Sequence, residues 1–143
     1  MILQTNAPAK INLQLHVLGR RDDGYHELEM LNASIDFCDI VTLEPKASGD
    51  LTISVESSVL ETLPAELNDP AVNLAARMLV LVCEAIEESC SFHIHIQKQM
   101  PLGAGLAGGS SNAAAIFRLL DHYFKEHPKF QQRREDLLAS FGH

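Results

Sequence analysis

Residues 101–115 constrain this chain more than any other segment. They read Pro-Leu-Gly-Ala-Gly-Leu-Ala-Gly-Gly-Ser-Ser-Asn-Ala-Ala-Ala and hold four of the eight glycines within seven positions. Glycine lets the backbone turn sharply and approach a ligand closely, because it has no Cβ. The alanine-rich continuation predicts a helix whose first turn offers free N–H groups and a positive dipole end. We therefore expect a phosphate site; the alternative is a plain strand–helix connection, although about two or three residues would suffice for that.

Composition narrows the class of protein. With 143 residues the chain can form one compact domain. Its net charge of −8 argues against nucleic acid as a partner, so a phosphorylated ligand must be held by local features. No apolar run is long enough for a membrane span, and the N-terminus lacks the features of a signal peptide. The three cysteines form no Cys-x-x-Cys pair, which favours reduced thiols and a cytoplasmic location.

Alternating apolar and polar residues predict several strands. Residues 9–17 place Ala9, Ile11, Leu13, Leu15 and Val17 on one face, which predicts a half-buried strand. The following Asp-Gly turn at Asp23–Gly24 indicates that the next segment pairs back as a hairpin. Further strands are predicted at residues 31–37, 40–43, 51–55 and 92–96.

Three helices are predicted. Asp69 and Pro70 have the residue types of a helix N-cap and first turn, and apolar residues recur at helical spacing as far as Ile86. A second helix is expected from about Ser111 to Lys125, and a third from Phe130 to Ser140, ended by Gly142. Strands followed by helices at intervals predict an α+β fold.

The glycine loop matches the known phosphate motifs only in part. Gly103, Gly105 and Gly108 have the spacing of a dinucleotide fingerprint, but Pro101 interrupts the approach to the loop and the residues around Pro128, about 20 positions on, are His-Pro-Lys. Gly103 and Gly108 have the spacing of a P-loop, yet Gly109 stands where that motif needs lysine. Protein kinases are excluded by the lack of His-Arg-Asp and Asp-Phe-Gly motifs. A different phosphate loop remains, in which Ser110 and Ser111 donate to phosphate, bind a metal or cap the helix.

Three motifs in this order closely resemble the GHMP kinases. They are Ala7-Pro-Ala-Lys-Ile-Asn-Leu13, then Gly24-Tyr-His26, and then the glycine loop. The resemblance covers nearly the whole chain. It implies a domain like the second domain of ribosomal protein S5, with a mixed sheet and helices on one face. It also implies ATP and Mg²⁺ as cofactors and transfer of phosphate to a small-molecule alcohol.

Within this family, Asp-Gly-Tyr-His is similar to the members that act on a cytidine-diphosphate-linked sugar alcohol of the non-mevalonate isoprenoid route. Lys10 then resembles the catalytic lysine, Asn12 a substrate contact, and Tyr25 and His26 the residues that hold the cytosine. Asn73 and Lys98 resemble nucleotide contacts. The remaining ATP contacts implied by the resemblance are Pro101, Leu102, Gly103, Ala104, Gly105, Leu106, Ala107, Gly108, Gly109, Ser110 and Ser111, with Ala107 at a position where many members have glycine.

Without the resemblance, several of these residues have a structural interpretation as well as a functional one. Lys10 and Asn12 are two apart on a predicted strand, so they share a face and can reach one substrate; an exposed strand lysine is the plainer interpretation. For Tyr25 and His26, which follow a turn, the plainer interpretation is that their side chains pack at the edge of the sheet. His93 and His95 also share a face and could bind a metal, but no third ligand has recognisable spacing, which favours a polar surface.

The chain departs from the family in two ways. Asn32 stands near the expected substrate pocket, where an apolar residue is expected. GHMP kinases are also longer, and a Gly-x-Asp-Val-Pro-like segment supplies an aspartate beside the lysine, whereas this sequence stops at His143. We therefore expect an N-terminal half with little or no phosphoryl transfer alone, and an exposed apolar surface that favours self-association. Two alternatives to this function remain. The chain could come from another GHMP kinase, or it could be an inactive module that binds a nucleotide or a cytidine ligand.

Overall fold

A computed structural model describes residues 1–22 and 24–141. Four strands and three α-helices follow one another along the chain, with a short 3-10 helix at Ala65–Asn68 before the first α-helix. Their bounds are β1 Leu3–Arg20, β2 His26–Pro45, β3 Thr52–Ser57, α1 Leu74–Ile86, β4 Phe92–Lys98, α2 Gly108–Tyr123 and α3 Pro128–Phe141.

The strands form one mixed sheet in the order β1-β2-β4-β3. β1 pairs antiparallel with β2, and β2 pairs antiparallel with β4. β3 pairs parallel with β4, with α1 in the connection between them. Along β4 every second side chain is buried, so the helices cover one face of the sheet and leave the other polar. This architecture confirms the predicted α+β class.

The predicted hairpin is confirmed, but its strands are longer than expected. Residues 31–37 and 40–43, predicted as two strands, belong to the single strand β2. The register shifts from Pro8 opposite Cys38 to Ala9 opposite Ile35, so β2 carries extra residues there without ending. Gly24 has a φ of 87°, which suits its place in the turn, while Asp23 lies outside the described residues.

The prediction that residues 9–17 form a half-buried strand is wrong for most of that segment. Ala9 is fully buried, but the outer half of the hairpin extends beyond the helices, and its apolar face is exposed. The exposed fractions are 37% for Ile11, 60% for Leu13, 49% for Leu15 and 63% for Val17. Alternation therefore identified the strand correctly, although no described part of the chain covers this face.

The helices begin at other residues than predicted. Asn73, not Asp69, caps α1; the Asp69 side chain accepts a hydrogen bond from the Ala71 N–H (2.9 Å) and forms the turn before the helix. α2 begins at Gly108 instead of Ser111, because the two glycines join its first turn. α3 begins at Pro128 and reaches Phe141. The predicted end at Gly142 lies outside the described residues.

The core lies between the sheet and the helices. Phe130 of α3 is fully buried and lies against Phe117 and Phe124 of the α2 region, with ring centroids 5.8 and 6.1 Å apart. Aromatic contacts of this kind add to the burial of apolar surface and fix α3 on the domain. No helix in the described ranges is long and apolar enough to cross a lipid bilayer.

His93 and His95 lie on the polar face of the sheet and bond to β3. Thr52 and Ser54 hydroxyls contact the His93 ring nitrogens at 2.9 and 3.0 Å. Ser54 also contacts His95 Nδ1 at 3.0 Å, and His95 Nε2 lies 3.2 Å from a Glu56 carboxylate oxygen. Both imidazoles therefore have partners in a ladder across the strand pair, and the described residues contain no cluster of three candidate metal ligands.

The Cys83 thiol makes the stability of this fold depend on pH. Its burial, together with the neighbouring Cys90, raises the pKa of Cys83 far above its ordinary value of 9.0. The unfolded chain ionises this thiol near pH 9 while the folded chain retains the proton. The free energy of unfolding should therefore fall above about pH 9, by up to ~1.4 kcal/mol per pH unit from this group.

Urea unfolding followed by circular dichroism between pH 8 and pH 10.5 checks this. Cys83→Ala should flatten the alkaline slope, whereas Val82→Ala, which makes a cavity at the neighbouring buried position, should lower stability and keep the slope. Equal slopes in both variants would contradict the assignment.

Candidate phosphate-binding site

The glycine loop encloses an open cavity at the start of α2. The cavity measures about 240 Å³ and is lined by residues 101–110 together with Leu74 and Lys98. Among the residues that the structure describes, no side chain caps the α2 N-terminus, so the first-turn N–H groups of the helix have no side-chain acceptor there. These donors and the positive end of the helix dipole suit an anion.

Backbone conformation explains two of the loop glycines. Gly103 and Gly105 have φ values of 68° and 73°, in the left-handed region that side chains with a Cβ rarely adopt. A Cβ at either position would meet nothing within 4 Å, since both residues border the open cavity. Ala107 has the same left-handed conformation, with φ 58°, although it is not glycine.

Close packing explains the other two glycines of the loop, Gly108 and Gly109. A Cβ at Gly108 would lie 3.0 Å from Lys98 Nζ, and one at Gly109 would lie 3.2 Å from Leu74 Cδ1. The first turn of α2 therefore packs tightly against Lys98 at the end of β4 and Leu74 at the start of α1.

Hydrogen bonds attach the loop to β1. The Lys10 N–H donates to the Leu106 carbonyl oxygen at 3.1 Å. The Ser111 hydroxyl donates to the Pro8 carbonyl oxygen at 2.6 Å, and Arg118 Nη2 donates to Asn6 O at 2.6 Å. The strand that carries Lys10 is thus held directly beside the glycine loop.

Lys10 and Asn12 share a face of β1, as predicted. Lys10 Nζ donates to Asn12 Oδ1 at 2.8 Å. Asn32 stands opposite Asn12 in the hairpin, and its amide donates to Met30 Sδ at 3.1 Å. Within residues 1–22 and 24–141, no carboxylate forms an ion pair with Lys10.

Tyr25 and His26 lie at the other end of the hairpin. His26 pairs with Arg20, and Tyr25 is 71% exposed. Ten residues of β1 lead from Lys10 to Arg20, a path of about 33 Å at about 3.3 Å per residue. Two register shifts, at Asn12/Gln14 and at Val17/Gly19, interrupt the strand pairing along this path. The structure thus brings Lys10 to the loop, while Tyr25 and His26 lie apart from it.

The two serines at the start of α2 differ. The Ser111 hydroxyl is bonded to β1, whereas Ser110 is exposed and lines the cavity. Asn73 has both amide atoms engaged: its Oδ1 accepts from the Ala75 N–H at 2.9 Å, and its Nδ2 donates to the Leu67 carbonyl oxygen at 2.8 Å. Of the residues predicted to contact nucleotide, Asn73 thus serves as a helix cap, and Ser111 links α2 to the sheet.

Lys98 lines the cavity but is only 4% exposed, and it forms an ion pair with Asp39, which is fully buried. Sequence reasoning missed Asp39. The available signal was a carboxylate within the apolar segment Phe-Cys-Asp-Ile-Val at residues 37–41, between two predicted strands, because a buried charge requires a partner.

Several known proteins are similar in sequence to this chain. Residues 73–142 match the family described as GHMP kinases N terminal domain. The 4-diphosphocytidyl-2-C-methyl-D-erythritol kinase of Alkaliphilus metalliredigens (strain QYMF) is 42% identical over 123 residues, which cover 86% of this chain and 40% of that protein. The kinase of the same name from Salinibacter ruber (strain DSM 13855 / M31) is 38% identical over 135 residues, or 94% and 44%. The chain thus spans about 40% of the length of these relatives.

Solved structures share the fold. A crystal structure of 4-(cytidine 5'-diphospho)-2C-methyl-D-erythritol kinase superposes with a TM-score of 0.69 at 35% identity, covering 94% of this chain and 46% of that one. Homoserine kinase from Cytophaga hutchinsonii gives a TM-score of 0.68 at 20% identity, covering 98% and 39%. The second likeness concerns the fold alone.

The left-handed alanine in the loop provides a test of its conformation. Ala107→Gly should raise the free energy of unfolding by about 0.5–1 kcal/mol, because relief of the left-handed strain exceeds the added entropy of the unfolded chain. Ala104→Gly, in the same loop at a negative φ, should lower it by about 0.4–1 kcal/mol. Urea unfolding followed by circular dichroism measures both, and a loss of stability in Ala107→Gly would contradict the assigned conformation.

Proposed function

The chain belongs to the GHMP kinases, and on this premise we propose that it binds ATP as the N-terminal part of a cytoplasmic small-molecule kinase. The proposed reaction transfers the γ-phosphoryl group to a hydroxyl of 4-(cytidine 5'-diphospho)-2-C-methyl-D-erythritol, in the non-mevalonate route to isoprenoids. The names of the relatives support this substrate. The observation that carries the proposal is the hydrogen bond between Lys10 and Leu106.

That bond matters because phosphoryl transfer depends on positioning. The transferred group carries charge over its oxygens, and an enzyme accelerates the reaction mainly by holding donor and acceptor in line and stabilising that charge. The Lys10–Leu106 and Ser111–Pro8 bonds fix the phosphate loop and the lysine strand in one unit. Lys10 can therefore face both the acceptor hydroxyl and the group being transferred.

The residues at the loop fit a nucleotide phosphate. The left-handed glycines leave the cavity open, and the uncapped first turn of α2 offers N–H donors. Mg²⁺ in such sites is held by one or two protein oxygens and the phosphates themselves. We assign the Ser110 hydroxyl as the candidate protein ligand, since it lines the cavity while the Ser111 hydroxyl is bonded to Pro8. Mg²⁺ would neutralise phosphate charge there.

The acceptor hydroxyl must lose a proton, and a positioned carboxylate is the usual base in kinases. Lys10 has no such partner among the described residues, and its ammonium donates to Asn12 instead. We propose that the base is an aspartate supplied from outside this chain, as the family's Gly-x-Asp-Val-Pro-like segment implies. This chain alone would then bind ligands and transfer little or no phosphate.

The hairpin is the proposed contact for the rest of the substrate. Asn12 lies beside Lys10, and Asn32 is its neighbour across the strands. We propose that Tyr25 stacks on the cytosine and His26 hydrogen-bonds to it, so the substrate would lie lengthwise along the hairpin. Asn32, at a position where an apolar residue is expected, would then contact the middle portion of the substrate.

Binding of Mg-ATP tests the first part of the proposal. In ¹H–¹⁵N spectra of the chain, the amides of residues 103–111 should shift on titration. Gly105→Ala should weaken binding by about tenfold or more, because its Cβ would occupy the cavity and alanine disfavours the left-handed conformation that shapes the loop. Gly49→Ala is the matched control: its φ is 99°, its Cβ also has room, and it lies in a different loop. Equal weakening in both variants would contradict a site at the loop.

Release of ADP with the cytidine-diphosphate substrate tests the second part. The chain should show turnover no higher than the ATPase background, and Lys10→Ala should not change it. Turnover that Lys10→Ala abolishes would instead show that these residues suffice for catalysis. An inactive cytidine- or nucleotide-binding module, or another GHMP kinase, would be favoured if the substrate failed to shift the amides of Lys10, Asn12 and His26.

The exposed apolar face of the hairpin carries a separate proposal. Leu15 pairs with Met30 and Val17 with Leu28, and all four side chains are more than 40% exposed. Apolar patches of this kind favour association in water. We propose that copies of this chain associate through this face.

Sedimentation equilibrium should show a dimer or larger species whose proportion rises with concentration. Replacing both exposed residues, in Leu15→Gln/Val17→Thr, should shift the population to monomer. Val59→Thr/Leu138→Gln, which removes two equally exposed apolar residues elsewhere, should not. A monomeric wild-type chain, or dissociation by the control pair, would refute this interface.

A further inference from the structure

Asp39 is a buried charge that the proposed function does not use. Its carboxylate has no exposed surface. One oxygen, Oδ1, accepts hydrogen bonds from the Gln99 N–H at 2.8 Å and the Met100 N–H at 2.9 Å, and the other accepts from Lys98 Nζ. Three donors from three consecutive residues thus converge on one side chain.

The position of Asp39 explains why these donors need it. Pairing between β2 and β4 runs from Pro45 opposite Phe92 to Ile40 opposite Gln97. Asp39 is the next residue of β2, just beyond the last pair, where β4 leaves the sheet toward Pro101. Its carboxylate therefore supplies the acceptors that a longer strand ladder would supply, and it fixes the backbone from which the glycine loop starts.

The same carboxylate holds Lys98 beneath α2. A Cβ at Gly108 would lie 3.0 Å from Lys98 Nζ and 3.8 Å from Asp39 Oδ2. The ammonium therefore lies under the first residue of the helix and borders the cavity. A cation at a helix N-terminus is unfavourable by itself, because the helix dipole is positive there. Asp39 compensates this charge and keeps the ammonium in place.

We propose that Asp39 is a positioning residue for the phosphate site: it fixes the start of the glycine loop and holds the Lys98 ammonium toward the phosphates. The inference rests on the proposed binding of ATP at this loop. It predicts that the pair has two separable contributions, one to the stability of the fold and one to the affinity for phosphate.

A double-mutant comparison separates these contributions. Asp39→Asn should lower stability, because it leaves the Lys98 charge buried without a counter-charge. Asp39→Asn/Lys98→Met should recover much of that stability, since a buried ion pair is often replaced by neutral groups at little cost. Its Kd for Mg-ATP should nevertheless stay about tenfold or more above the wild-type value, because the charged donor is absent. Asp36→Asn, an exposed carboxylate on the same strand, should change neither quantity.

Recovery of both stability and affinity in the double variant would overturn the proposal, as would wild-type affinity in either variant. If Asp39→Asn does not fold, the double variant alone carries the test.

Hydrogen exchange without nucleotide separates this inference from the proposed function. Asp39→Leu/Lys98→Met, which removes both carboxylate oxygens, should expose the Gln99 and Met100 amides to faster exchange and shift the resonances of residues 103–109. Should the wild-type chain fail to bind Mg-ATP, the proposed function fails, while these exchange rates still decide whether Asp39 fixes the loop. Unchanged rates and resonances would overturn the positioning role.

Discussion

The first turn of α2 packs closely against Lys98 of the sheet and Leu74 of α1 through two glycines, and the rest of the site depends on this contact. Gly108 and Gly109 leave the space that Lys98 Nζ and Leu74 Cδ1 occupy. Because the helix approaches this closely, the Ser111 hydroxyl reaches the Pro8 carbonyl oxygen. The same approach brings Leu106 to the backbone of Lys10. Hydrogen bonds and close packing therefore hold β1, the glycine loop and α2 together as one unit.

Local patterns in the sequence predicted the parts of this unit that depend on local physics. Alternation identified β1, the Asp-Gly turn identified the hairpin, and the glycine loop identified the helix entry. Predictions failed where a tertiary contact decides the outcome. Residues 31–37 and 40–43 read as two strands, but β2 continues through the register shift because β1 pairs with it on both sides. Asp69 was predicted to cap α1, but Asn73 caps this helix.

Burial was harder to predict than secondary structure. Ile11 and Val17 alternate as a half-buried strand would, yet no described element covers them, and a single sequence does not show what lies opposite a face. Asp39 is the converse case, since its environment includes Lys98, a residue 59 positions later in the chain. A charge in an apolar strand signals that a partner exists, but only the fold identifies that partner.

The pairing of Lys98 also bears on how the loop would attract the phosphate that we propose it binds. A P-loop places an unpaired lysine on the phosphates, whereas the nearest ammonium here is already matched by the Asp39 carboxylate. The side chains buried at the loop therefore contribute little net charge, and the chain as a whole is negative. Net charge therefore gives little long-range attraction here, and under the proposal the N–H groups and dipole of α2 act together with a short-range hydrogen bond from the Lys98 ammonium. Under the proposed function, such a site would select phosphate by close fit to these donors, and the packing of α2 against Lys98 and Leu74 would set that fit.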